Sequence, residues 1–115
     1  MLVQVFTDDH IKGTEKLNGQ VEAEVGGVIG RYGEQITRVE VYLSDLNAKK
    51  GGIDKRCLME ARIAGHQPLA VSHEAATLDE AITGAAEKLE RSLDHTLGKL
   101  GHHKGNTSMG GDQKI

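Results

Sequence analysis

The sequence has one cysteine, one proline, no tryptophan and three other aromatic residues among its 115 positions. A lone Cys57 excludes an internal disulfide, so stability must come from burial. It lies in RCLMEARIA, where alternation turns it to the side of Met59, Ala61 and Ile63, as a buried and inert thiol. No apolar run approaches the roughly 18 residues of a membrane span, and MLVQVFTDDH lacks the basic-then-apolar order of a secretory signal. The expectation is a cytoplasmic protein with no membrane partner. The three aromatics, Phe6, Tyr32 and Tyr42, are few, and helical spacing puts Tyr32 on a core stripe while alternation puts Tyr42 on an open sheet face. The stacking platform of single-strand readers is therefore missing, which favours folded RNA as any nucleic-acid partner. Base is short too: fourteen Lys and Arg stand against seventeen Asp and Glu, a net charge of −3. Such a balance does not suit DNA, and binding of any polyanion must rest on local segregation of charge.

What is present has the proportions of one globular domain, 37% hydrophobic and 27% charged, with a small core. LVQVF (2–6) predicts a short strand. Leu17, Val21, Val25, Val28 and Tyr32 then recur at helical spacing, predicting a helix from about residue 13 to 32. Gly19, Gly26, Gly27 and Gly30 weaken it, so packing must hold it. ITRVEVYLSD (36–45) alternates as a strand, with Val39, Val41 and Leu43 on one face and Arg38, Glu40 and Tyr42 on the other. NAKKGGID reads as a mobile loop, and RCLMEARIA with LAVSH as an antiparallel hairpin that has Pro68 at its second strand's start. Thr77 followed by Glu80 forms a capping box ahead of an apolar stripe of Leu78, Ile82, Ala85, Leu89, Leu93, Leu97 and Leu100. The domain is expected to span 1–100, and the polar, glycine-rich 101–115 to be disordered. The fold class is therefore α/β (α+β), β-α-β-β-β-α. A right-handed crossover sets the first strand parallel to its neighbour, the last three strands form a meander, and both helices cover one face of a four-stranded mixed sheet.

The last helix segregates its charges. With Lys88 at zero, Arg91, His95 and Lys99 fall near 300°, 340° and 20°, while Glu87, Glu90 and Asp94 lie between about 200° and 260° and the apolar stripe centres near 115°. A ridge of one sign reads either as a solvated face or as an anion-binding surface. The i,i+4 pair of Glu87 and Arg91 accounts for part of the pattern and not the whole of it. If the ridge binds RNA, its groups meet phosphates, and recognition is of backbone shape. His95 adds a pH hypothesis: histidine titrates near neutrality, so binding should strengthen on mild acidification. Affinities that stay flat from about pH 7.5 to about 6, or that are unchanged in His95→Ala, would reject it.

The element order, TRVEVYLSD, and AITGAAEKLERSL with Ala81, Ile82, Gly84, Lys88, Leu89, Arg91 and Leu93 in register resemble the ribosome hibernation promoting factor family, also called ribosome-associated inhibitors or ribosomal subunit interface proteins. The likeness covers roughly residues 1–100. It implies a fold like the double-stranded-RNA-binding domain. It also implies a non-enzymatic protein that lodges on the small ribosomal subunit between the subunits, against rRNA backbone, where it occupies the path of mRNA and tRNA and silences idle ribosomes under stress. Lys88 and Arg91 fall on the family's basic helix positions. Where the family commonly carries further lysines this chain has His95 and Leu97, regaining Lys99, and Arg31 is the main basic group late in the first helix. The RNA-binding set is therefore Lys88, Arg91, His95, Lys99 and Arg31. With no long carboxy-terminal dimerisation domain, the chain reads as a short form, monomeric off the ribosome.

Other constellations carry less. His95, His102 and His103 lack a carboxylate or thiol to complete a metal shell. Asp8 and Asp9 read as turn residues, and Ser72 and His73 point to opposite strand faces and cannot act as nucleophile and base. KKGG lacks the frame of a phosphate loop. The expectation is no enzyme, no metal and no cofactor. A competing reading is a protein-interaction module that uses the open sheet face of Arg38, Glu40, Tyr42, Glu60 and Arg62, or the glycine-rich first helix.

Overall fold

The computed structural model describes residues 2–8, 11–46 and 54–101, with side chains through Leu97. The KKGG segment, Asp9, His102, His103, the tail and the side chains of Lys99 and Leu100 lie outside the described residues. The elements run β1 (Leu2–Thr7), α1 (Glu15–Ile29), a 3-10 segment (Gly30–Gln35), β2 (Ile36–Asp45), β3 (Lys55–Ile63), β4 (Leu69–Ala75) and α2 (Leu78–Gly101). The sheet order is β1-β2-β3-β4. β1 pairs parallel with β2 in the register Val3↔Val39, and the other two pairings are antiparallel, Val41↔Met59 and Met59↔Val71. This is the four-stranded mixed sheet expected from the element order.

The core lies between one sheet face and the two helices. Val39, Val41, Leu43, Cys57, Met59 and Ala61 meet Val21, Val25 and Ile29 of α1 and Ile82, Ala85, Leu89 and Leu93 of α2, all buried. Cys57 is among the fully buried residues, and loss of hydration pushes its thiol pKa up to about 12, which leaves it unreactive near neutrality. Helix starts follow their caps. The Thr14 hydroxyl accepts from the Leu17 N–H at 3.0 Å, and the Thr77 hydroxyl accepts from the Glu80 N–H at 3.1 Å. Asp8 serves the turn after β1, its carboxylate accepting from the Asp45 N–H at 2.9 Å.

α1 departs from the helix expected over 13–32. It ends at Ile29, and the chain tightens into a 3-10 segment in which Gly33 takes φ 56°. That left-handed backbone suits glycine and breaks the helical period. Ile29 consequently fills the buried position after Val25, while Val28 and Tyr32 pack at the core's margin.

Two glycines distinguish local from tertiary constraint. Gly27 has open space where a Cβ would stand, whereas a Cβ on Gly84 would overlap the His73 ring, with the ring Cγ 2.6 Å away. β4 and α2 thus approach closely because Gly84 lies under an imidazole. Gly27→Ala is expected to stabilise the fold by about 0.5–1 kcal/mol through helix propensity. Gly84→Ala should destabilise it by about 1 kcal/mol or more, because the ring must leave its place. Urea denaturation checks both, and the Gly84→Ala penalty should vanish in a His73→Ala background.

Candidate nucleic-acid interface

α2 is the helix whose charge the sequence divides, and each sector meets a different neighbour. Its apolar face lies on the sheet. Glu90 and Asp94 of its acidic sector turn to the α1 side: Asp94 accepts from both Arg31 and the Tyr32 hydroxyl, and Glu90 lies 3.7 Å from Arg31, while at the helix start Asp79 accepts from Gln20. Burial first, then the bond to Asp94, raises the Tyr32 phenol to about 12, so it stays a neutral donor. Asp79, Glu90 and Asp94 are in this way drawn towards α1, whereas Glu80 and Glu87 border the β4 side of the helix beside His73.

The basic sector borders β4, one of the two edge strands of the sheet. Lys88 Nζ donates to the Ser72 carbonyl oxygen at 3.0 Å, which holds the ammonium at the strand edge. Arg91 and His95 are exposed one turn and two turns further along. None of the ion pairs among the described residues involves Lys88 or Arg91. Lys88, Arg91 and His95 therefore stand together along one groove, with no carboxylate of the described residues within ion-pair distance of them. Arg31 does not join them, since its guanidinium is held by Asp94 and Glu90 on the other flank of the helix. Lys99 follows in the same helix, its side chain outside the described residues.

Between this sector and β4 runs a groove of about 640 Å³, lined by Lys88, Arg91, Ser92, His95 and Thr96 on one wall and Leu69, Val71 and Ser72 on the other. Sequence reasoning missed the groove. Ser92 and Thr96 were legible at i+4 and i+8 from Lys88, but Leu69 and Val71 join them only once β4 is placed beside α2.

The opposite sheet face is internally matched. Arg38 pairs with Glu40 at 3.0 Å, Arg62 with Glu60 at 3.6 Å, and the Tyr42 hydroxyl donates to Glu40 at 2.7 Å. That hydroxyl first, and Arg38 with it, holds the Glu40 carboxyl below the usual carboxylate range. Phe6 and Tyr42 stack here with centroids 4.9 Å apart, because the parallel register sets them side by side.

A helix with a segregated, uncompensated basic flank on a β-α-β-β-β-α sheet agrees with what the sequence resembles. The profile of the sigma 54 modulation protein / S30EA ribosomal protein family matches residues 4–101. The chain belongs to that family. Its resemblance to hibernation factors is thereby borne out, and the S30EA family is a ribosome-associated one. Two solved structures show the same fold. The Thermus thermophilus Protein Y N-terminal domain aligns with TM-score 0.68 at 24% identity, covering 84% of this chain and 99% of that one. A ribosomal subunit interface protein from Coxiella burnetii aligns with TM-score 0.71 at 13% identity, covering 85% and 99%. No curated protein sequence is a significant match. Among the described residues no helix is long and apolar enough to cross a membrane.

Proposed function

We propose that this S30EA-family protein binds the small ribosomal subunit at the subunit interface, occludes the mRNA and tRNA path, and silences translation without chemistry. The observation that carries the reading is the basic flank of α2, where Lys88, Arg91 and His95 line one groove while Glu90 and Asp94 are occupied by Arg31 and Tyr32 on the α1 side. An uncompensated cation on a rigid helix needs no rearrangement to meet a phosphate, and Lys88 is already held in place by a backbone carbonyl. Lys99 extends the same flank by its position in the sequence. The domain is acidic overall, with twelve bases and sixteen acids before residue 101. Few phosphate contacts are therefore available, and the salt dependence should be shallow.

Sucrose-gradient sedimentation of cell extract tests this reading. Co-migration with small subunits or whole ribosomes that weakens as salt is added supports it, and a protein that stays at the top of the gradient at low salt overturns it. Arg31 provides an internal control. Its charge is already matched, so Arg31→Ala should weaken ribosome binding less than about twofold, against about tenfold or more for Arg91→Ala. The interaction-module reading, based on the matched open sheet face, predicts no co-migration.

A further inference from the structure

We propose that the groove between α2 and β4 takes an unpaired ribonucleotide of RNA, with the phosphate on Lys88 and Arg91 and the base laid against Leu69 and Val71. The inference rests on the preceding reading that this flank meets RNA phosphate, and it names what else the same site recognises. A ridge that served duplex backbone alone would need only outward cations. Here the cations border a concavity of about 640 Å³, within the range of about 300–1,000 Å³ that small ligands occupy. Its strand wall is apolar, since Leu69 and Val71 are only partly buried beside the core and leave their remaining surface to the groove. A splayed base offers two flat apolar faces and is the part of an RNA that such a wall fits. Arg91, with no ion-pair partner among the described residues, has its guanidinium donors free for the phosphate beside Lys88.

The chemistry also disfavours an acidic peptide. The usual way for a peptide to occupy an edge strand is to pair with its backbone, and Lys88 already occupies the Ser72 carbonyl of β4. The lysine occupies one acceptor of that edge, which counts against strand addition there, while leaving its other N–H donors for phosphate.

The test is amide-resolved NMR titration of the whole chain with uridine and adenosine trinucleotides, an abasic ribose-phosphate trimer, a short RNA duplex and an oligoglutamate of equal charge. Trinucleotides with bases should bind about tenfold tighter than the abasic trimer, shifting Leu69, Val71 and Ser92. Ser92→Leu, which fills the groove and leaves the cations in place, should remove that difference. The proposal is overturned if the abasic trimer or the oligoglutamate binds as well as the trinucleotides, if the duplex binds more tightly than they do, if no trinucleotide binds, or if Ser92→Leu preserves the discrimination. Failure of the ribosome reading is separate, because it appears as wild-type protein absent from ribosomal fractions. A protein that sediments with ribosomes and shows no base dependence loses the nucleotide site alone.

Discussion

Replacing Lys88 and Arg91 together by glutamate is expected to abolish co-sedimentation with ribosomal particles, lowering affinity by about a hundredfold or more. Two charge-assisted contacts of about 1.5–3 kcal/mol each would be lost, and together they correspond to at least two decades of affinity. Reversal adds repulsion, because four units of charge change on one flank of a domain that is already acidic. The neutral pair Lys88→Gln with Arg91→Gln should lose less, and its binding should depend less steeply on salt, by about one unit of slope per phosphate contact removed. Neither pair should unfold the protein. Arg91 is exposed, and Lys88 contributes one hydrogen bond to the Ser72 carbonyl, worth about 1 kcal/mol. Circular dichroism melts alongside the gradients separate the two effects. Unchanged sedimentation of the folded glutamate pair would show that this flank is not the grip.

Leu89→Ala should have the largest effect on stability, about 3 kcal/mol, read from urea or thermal unfolding. Leu89 is fully buried in the shared core, on the face of α2 that meets the sheet. Its truncation leaves a cavity whose walls are held by two helices and by β-strands, so collapse is limited, and Leu→Ala at such sites costs about 2–5 kcal/mol. For a domain whose total stability is about 5–15 kcal/mol this is a large fraction, and the midpoint should fall by about 10–20 °C. The consequence reaches function, because α2 carries the core on one side and the cations on another. A loosened α2 no longer holds Lys88, Arg91 and His95 in one line, so ribosome binding should weaken at temperatures where the variant is still mostly folded. A melting point unchanged within a few degrees would show that α2 is not anchored through Leu89.

The amino-acid order alone determined the element sequence, the β-α-β-β-β-α class and the three sectors of α2, because each depends on periodicities of two or 3.6 residues that survive without neighbours. β2 was legible to the residue, since Val39, Val41 and Leu43 alternate with polar neighbours, although a register shift between Ile36 and Arg38 also buries Ile36. The end of α1 was not, because glycines at 30 and 33 permit continuation and termination alike, and the contact of Tyr32 with Asp94, sixty-two positions away, accompanies the tighter turn. Only the packed structure decided that Arg31 is matched by Asp94 and Glu90, that Gly84 makes room for His73, that Phe6 stacks on Tyr42, and that Leu69 and Val71 face Lys88 across a groove. Most of these depend on which side of α2 faces α1 and which faces β4, and the aromatic stack depends on the β1–β2 register. That choice is made by strand order and helix packing, which bring together residues whose separation along the chain carries no periodic signal.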